Sequence, residues 1–287
     1  MTTDQLIAPV LKTLDLRPAA DRDSFVGDSL QVPTGRVFGG QVLAQALLAA
    51  GRTVPAERLP HSLHGYFLRA GDVTQPIRYD VDRLHDGRSF SARRVTARQD
   101  DGPILTLVAS FQTLQPGVEF AERPPSGVPG PDEVGSARDH LAAIHHPVAR
   151  FWTESAFDLR HVGGSIYQEP DEEHTGRQLV WLRTHGPVPD DPLLHRALLA
   201  YACDQVMLEP VLRHAGLSWS SPGLSLASLD HAMWWHRDVR VDEWLLFVQS
   251  SPSAQGGRGL SAARVFDRAG TLVASIAQEG MVRVPRA

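Results

Sequence analysis

The chain has 287 residues, 42% hydrophobic and 21% charged, which is the composition of an ordinary globular protein with room for one large domain or two small ones. A formal net charge of −5, with no basic block to neutralise phosphates, argues against a general nucleic-acid binder. The single cysteine, Cys203, excludes an intrachain disulfide framework and fits a reducing compartment. The N-terminus lacks the basic start and long apolar core of a signal peptide, no apolar run is long enough to span a bilayer, and the C-terminal VRVPRA is not a peroxisomal address of the Ser-Lys-Leu type. A cytoplasmic protein with no membrane span is therefore expected.

Leu6, Ile7, Val10, Leu11 and Leu14 recur at helical spacing and predict a short amphipathic helix up to about Leu16. The stretch VFGGQVLAQALLAAGRTVP at 37–55 opens on Gly39 and Gly40. It continues through a helix at 42–50 that is apolar on most sides, with Gly51 as its expected C-terminal cap. Strands are predicted at 61–68, 76–84, 89–99 and 104–113, joined in part by the turns HDG and DDG. One helix followed by an antiparallel meander is a sheet able to wrap that helix. Prolines and glycines then concentrate at 115–131, an irregular connector. Residues 136–152 are expected to be partly helical, interrupted by Pro147.

Further strands are predicted at 157–162 and 177–184, then a helix over 191–209, then strands at 223–235, 244–250, 259–267 and 272–284. In that helix Asp191 is a good N-cap, Pro192 suits the first position and Pro210 marks the expected end. Leu194, Ala197, Tyr201 and Leu208 share its core face, and Asp204 falls on the same stripe. A carboxylate there loses hydration worth several kcal/mol unless partners restore it; from this helix alone, an Asp at a solvated edge or capping the next turn is an equal reading.

The two halves repeat. ALLAAGRT at 46–53 matches ALLAYACD at 197–204, GRSFSARRV at 87–95 matches GRGLSAARV at 257–265, and each then runs into LVAS, at 107–110 and 272–275. Three matches in order read as a duplicated helix-plus-sheet unit: repeats at 1–114 and 151–287 around a connector at 115–150. The register sets Thr53 where the second copy has Asp204, so a single active site, in the copy that carries the acid, is expected.

FGGQVLAQAL, HSLHGYFLRAGD, HDGRSFSARRV, PDDPLLHRALLAYACD, SLDHAMWWHR, DEWLLF and GTLVASIAQEG together resemble the type II acyl-CoA thioesterases over nearly the whole chain. That resemblance implies an α+β double hotdog, in which two fused copies of an antiparallel sheet each wrap a long helix. It also implies hydrolysis of fatty acyl-CoA to free acid and coenzyme A, with no cofactor and no metal. The family's trio of Asp, hydroxyl and Gln, which orders one water against the thioester carbonyl, falls on Asp204, Ser228 and Gln278, with Ser228 where the family usually has Thr. Serine keeps the hydroxyl but loses the methyl that stiffens the rotamer.

The residues are chemically suited to this. A carboxylate base contributes roughly 10² to 10⁴ in rate, and fixing the water adds a proximity term. Leu272, Ala274, Ile276 and Gln278 share a strand face, as do Leu226, Ser228 and Asp230, which makes Asp230 a rival base. Burial and the C-terminal end of its helix are expected to raise the basicity of Asp204. For the oxyanion, the helix N-terminus at Gly39 and Gly40 offers backbone N–H groups, although the same glycines would equally serve close packing. Cys203 is a poor nucleophile candidate, turned about 100° from Asp204 along the helix. Trp234 and Trp235 should point to opposite strand faces. Arg88, Arg93 and Arg94 are candidates for coenzyme A phosphates, and His145–His146 is a weak metal-ligand candidate. No G-x-S-x-G, H-E-x-x-H or paired C-x-x-C pattern occurs. An enoyl-CoA hydratase on the same fold would want an Asp/His pair, and a non-catalytic acyl-CoA or lipid-binding hotdog would need no base. Open sheet edges make a homo-oligomer, dimer or tetramer, the expected assembly.

Overall fold

The computed structural model describes residues 6–142 and 153–284. Its helices are α1 (Ala8–Leu14), α2 (Gly39–Gly51), α3 (Ala137–Ala142), α4 (Pro192–Cys203) and α5 (Glu209–His214). The strands of the first half are β1 (Arg17–Pro18), β2 (Ser24–Gly27), β3 (Leu59–Phe67), β4 (Ile77–Asp86), β5 (Phe90–Gln99) and β6 (Gly102–Gln112). Those of the second are β7 (Phe157–Val162), β8 (Arg177–Thr184), β9 (Ser225–Ser228), β10 (Asp230–Trp235), β11 (Leu245–Gln255), β12 (Arg258–Asp267) and β13 (Leu272–Arg283).

The 13 strands among the described residues form one sheet in the order β1-β2-β4-β5-β6-β3-β10-β13-β12-β11-β8-β7, with β9 paired to β13. The halves meet where β3 and β10 pair antiparallel, His64 opposite Ala232. This is a double hotdog: two long helices held inside one continuous antiparallel sheet. Every residue of α2 from Gly40 to Ala50 is buried, so its sequence is apolar on most sides, and its two polar side chains, Gln41 and Gln45, are hydrogen-bonded in the interior. The two long helices run antiparallel. Gly40 at the start of α2 lies against the Tyr201 carbonyl near the end of α4, and Gly51 at its end lies against Leu193 near the start of α4. That arrangement brings the N-terminus of α2 to the C-terminus of α4.

Several expectations are corrected. The helix predicted to Glu209 ends at Cys203, with Asp204 as its C-cap. Pro210 opens α5 rather than closing α4, because the first turn of a helix needs no N–H from it. The strand expected at 223–235 is two strands interrupted at Leu229. Gly51 is the last residue of α2, whose C-cap is Arg52. The HDG turn moves by about two residues, since His85 and Asp86 extend β4 and the Gly87 N–H donates to the Phe90 carbonyl. β2, unpredicted, pairs with β4. His145, His146 and Pro147 lie outside the described residues.

The connector has no strand and no α-helix between 113 and 130. It is pinned where the Trp181 indole N–H donates to the Pro129 carbonyl at 2.9 Å. No helix among the described residues is long and apolar enough to cross a membrane.

Candidate active site

Asp204 leaves α4 at the point where three donors converge on its carboxylate. Ser228 Oγ donates to Oδ1 at 2.7 Å, Gln278 Nε2 to the same oxygen at 2.9 Å, and the Gly40 N–H to Oδ2 at 2.9 Å. Gln278 Nε2 also donates to Ser228 Oγ at 2.8 Å. Asp204, Ser228 and Gln278, far apart in sequence, are therefore mutually bonded, and the fourth partner comes from the other repeat. Three such bonds account for much of the hydration that a carboxylate loses on leaving water.

The path of the chain explains this convergence. Ser228 ends β9 opposite Gly280 of β13, whereas β10 resumes with Ala232 opposite Ala277. The register slips by one residue across Leu229, so the side-chain parity reverses. Ser228 faces the site, Asp230 does not, and His231 turns inward. Asp230 pairs with exposed Tyr66 of β3, and its carboxylate accepts the Glu279 N–H at 2.8 Å. The rival base is thus an outward brace of the bulge. On β13, Ala274, Ile276 and Gln278 keep the inward alternation. Leu272, beyond a bulge at Phe266, falls instead in the second apolar cluster with Trp181 and Trp244.

Sequence reading passed over His231. It is fully buried, and its Nδ1 lies 2.7 Å from Gln278 Oε1. The signal was available: His231 occupies an inward row with Met233 and Trp235, as Gln278 does with Ile276, but only the break at Leu229 assigns that row to the interior. Burial pushes the His231 imidazole below its ordinary range, outweighing the upward pull of the Gln278 bond and of the Asp204 and Asp230 charges.

The glycines approach too closely to carry side chains. A Cβ on Gly40 would lie 2.3 Å from the Tyr201 carbonyl oxygen, and one on Gly39 would lie 2.6 Å from Asp204 Oδ2. Hence Gly40, expected at an oxyanion site, has its N–H engaged by the acid. Gly39 lines the cavity beside it. That cavity holds about 720 Å3, within the usual range for small-molecule sites. Asp204 and Ser228 form part of its wall, and Phe38, Val42, Phe67, Leu208, Trp219 and Leu226 make much of the rest apolar. Gln278 is fully buried behind the two.

The remaining candidates fall elsewhere. Cys203 is buried, and burial, with the Asp204 charge adding to it, pushes its thiol well above the ordinary range, which makes a poor nucleophile. Arg93 is wholly buried and holds Thr53 Oγ1 at 2.8 Å and Asp86 at 2.7 Å, so it is not available to a phosphate. Arg94 pairs with Asp82, and Arg88 is exposed. Trp235 is core, while Trp234 is on the outer surface, edge-on to His64.

Comparison with known proteins agrees with this architecture. Residues 164–281 match a family model described as acyl-CoA thioesterase, and residues 29–112 match one described as acyl-CoA thioesterase N-terminal domain. The chain is 35% identical to human acyl-coenzyme A thioesterase 8 over 96% of its own length and 89% of the relative's. It is 34% identical to acyl-CoA thioesterase 2 of Haemophilus influenzae, covering 90% and 92% of the two chains. Among solved structures, acyl-CoA thioesterase II TesB2 from Mycobacterium marinum superposes with a TM-score of 0.79 at 39% identity, covering 96% of this chain and 98% of the other. Two repeats, a half-buried acid with its partners at a cavity wall, and relatives that align over 90% or more of this chain place it in the acyl-CoA thioesterase family, as an acyl-CoA hydrolase.

Proposed function

We infer that the protein hydrolyses fatty acyl-CoA to free acid and coenzyme A with Asp204 as general base. The observation that carries this is the carboxylate with three donors on it, opening with Ser228 onto an otherwise largely apolar cavity. A carboxylate offers about four lone-pair sites; three are taken, and one remains for a water. Ser228 Oγ gives its hydrogen to Asp204 and accepts one from Gln278, so it too keeps one acceptor site. A water whose two hydrogens point to Asp204 and Ser228 presents its oxygen lone pair to a thioester carbonyl.

Asp204 takes one of those protons as the water oxygen bonds to the carbonyl carbon. The carbonyl electron pair moves to oxygen, where the Gly39 N–H, at the first position of α2, is the donor suited to receive it. Collapse of the tetrahedral adduct breaks the carbon–sulfur bond and releases the coenzyme A thiolate, to which the proton on Asp204 returns. Gln278 contributes without touching the water: its amide hydrogens hold Asp204 and Ser228 as acceptors. Arg36 and Arg69 line the same cavity and are suited to the phosphates of coenzyme A. The hydratase alternative lacks support, since His231 bonds Gln278 rather than facing the cavity. Ser228, serine where the family pattern has Thr, keeps its bond to Asp204, which removes the motive for a non-catalytic reading.

Thiol release from a panel of acyl-CoAs, short to long chain, tests the assignment. Turnover is expected on fatty acyl-CoAs and loss of it in Asp204→Asn; binding without release from any of them would establish a carrier instead. The chain is further read as a cytoplasmic homo-oligomer, dimer or tetramer, for which light scattering should return a multiple of 31.4 kDa; a monomer mass would refute it.

A further inference from the structure

We propose that His231 is a positioning residue of this site: its Nδ1–H holds Gln278 Oε1 and so fixes the amide in the orientation that keeps Asp204 and Ser228 as acceptors toward the cavity. The proposal rests on the catalytic reading of Asp204, Ser228 and Gln278 given above.

A glutamine amide has two orientations of nearly the same shape, and only its partners distinguish them. On one side of Gln278 lie Asp204 Oδ1 at 2.9 Å and Ser228 Oγ at 2.8 Å; on the other lies His231 Nδ1 at 2.7 Å. The flipped amide would press Oε1 against a carboxylate oxygen, two acceptors with no hydrogen between them. It would also let Ser228 turn its hydrogen toward Gln278, leaving the carboxylate without either side-chain donor. The amide is therefore held only if the group behind it donates, and His231 is the donor there.

The imidazole is confined to that role. With Nδ1 carrying the hydrogen, Nε2 is a bare lone pair, and Nε2 is sealed from solvent without a hydrogen-bond partner. A proton on Nε2 would have no acceptor and would place a cation in an apolar row beside Met233 and Trp235. Burial favours the neutral ring. Every bond then runs one way, from His231 to Gln278, from Gln278 to Ser228 and Asp204, and from Ser228 to Asp204. The bulge at Leu229, braced by Asp230 on the Glu279 N–H, is what sets Ser228 and His231 on the same side of Gln278's strand.

The test is steady-state kinetics on His231→Leu and His231→Asn, alone and in a Gln278→Ala background, with melting temperatures alongside. Leucine removes the donor, and kcat is expected to fall about tenfold with KM unchanged. Asparagine can set an amide N–H where Nδ1 was and should restore most of kcat. In the Gln278→Ala background His231→Leu should cost nothing further, because the histidine acts only through the amide. Equal losses in the leucine and asparagine variants, or a full leucine effect without Gln278, would overturn the proposal. If Gln278→Ala itself leaves kcat intact, the reading of the trio fails, a different outcome from additivity on a slowed background. Should His231→Leu not fold, the imidazole nitrogen resonances of the intact wild-type enzyme decide: an Nδ1–H neutral ring at neutral pH is required, and an Nε2–H or cationic ring refutes.

Discussion

Replacing Asp204 by asparagine preserves shape while removing the carboxylate proposed as the base. The asparagine amide must place its NH2 on one side, and the carboxylate has donors on both: Ser228 and Gln278 at Oδ1, the Gly40 N–H at Oδ2. The less costly choice turns NH2 toward Gly40, keeping two bonds and setting one donor against another. A buried donor without its acceptor costs about 1–3 kcal/mol, so the variant should melt a few degrees lower and stay folded. Its chemistry suffers more. Loss of a positioned carboxylate base removes roughly 10² to 10⁴ in rate, about 2.7–5.4 kcal/mol on the barrier at 1.36 kcal/mol per decade. The loss should fall on kcat, with KM changed little, because the apolar wall that would hold the acyl chain is intact. Release of coenzyme A, followed with a thiol reagent, measures it, and circular dichroism melting establishes that the variant is folded. A folded Asp204→Asn protein with undiminished kcat would refute the assignment of the base.

Three other perturbations test the surroundings. In Gly40→Ala the new methyl would lie 2.3 Å from the backbone oxygen of Tyr201, which no side-chain rotation relieves; a loss of about 1–3 kcal/mol with collapse of activity is expected, and a wild-type melting temperature would contradict the close helix approach. Arg93→Leu leaves the Thr53 and His85 carbonyls without their Arg93 donor and Asp86 with Ser91 alone, so a cost of about 1–3 kcal/mol is expected with KM for acyl-CoA unchanged; a raised KM at unchanged stability would instead mean phosphate contact. At Glu209, burial pushes the carboxyl up, but the His161 imidazole beside it and bonds from His161, Trp219 and Gln178 outweigh this and hold it below its ordinary range. A lowered carboxyl stabilises the fold fully above its unfolded value, about 4.3, and that contribution is lost as pH falls through the folded value. Denaturant unfolding across that window should show a steeper acid loss in wild type than in Glu209→Gln; equal slopes would refute it.

The parts of this fold that were legible in sequence are those where one local period governs. The apolar run at 42–50, broken only by Gln45, reads as a helix buried on most sides, and the alternation of β4 announced a half-buried strand. What the period missed was imposed by partners distant in sequence. Val206, Met207 and Leu208 are buried and continue the apolar pattern of α4, so nothing local announces that the helix stops at Asp204. The interruption comes with three hydrogen bonds on the Asp204 side chain, and Gln249 satisfies the Val206 carbonyl beyond the break at 3.1 Å. Likewise, SLASLDHAMWW reads as one strand until β13 is laid beside it with its register slipped, and only then do Asp230 and His231 exchange faces. β2, four residues long, has no pattern of its own and exists by pairing with β4.

The duplication also accounts for there being an acid in only one repeat. Two antiparallel helices related by the repeat bring two pairs of ends together, α2's start to α4's end and α2's end to α4's start, so the architecture offers two equivalent positions. At the first stands Asp204, bonded by Ser228, Gln278 and Gly40. At the second stands Thr53, whose hydroxyl donates to the Ala50 carbonyl and accepts from Arg93. Arg93 matches Ala263 in the repeat register, and its guanidinium is held by the Thr53 hydroxyl and carbonyl, by His85 and by Asp86. An arginine filling this position and a threonine that cannot serve as base leave it packed and without a base. The small Ala263 at the matching place leaves the other free of such a plug. Divergence of the two copies thus reads as a division of labour: the first repeat lends the N-terminus of α2 and fills its own position, and the second keeps the carboxylate.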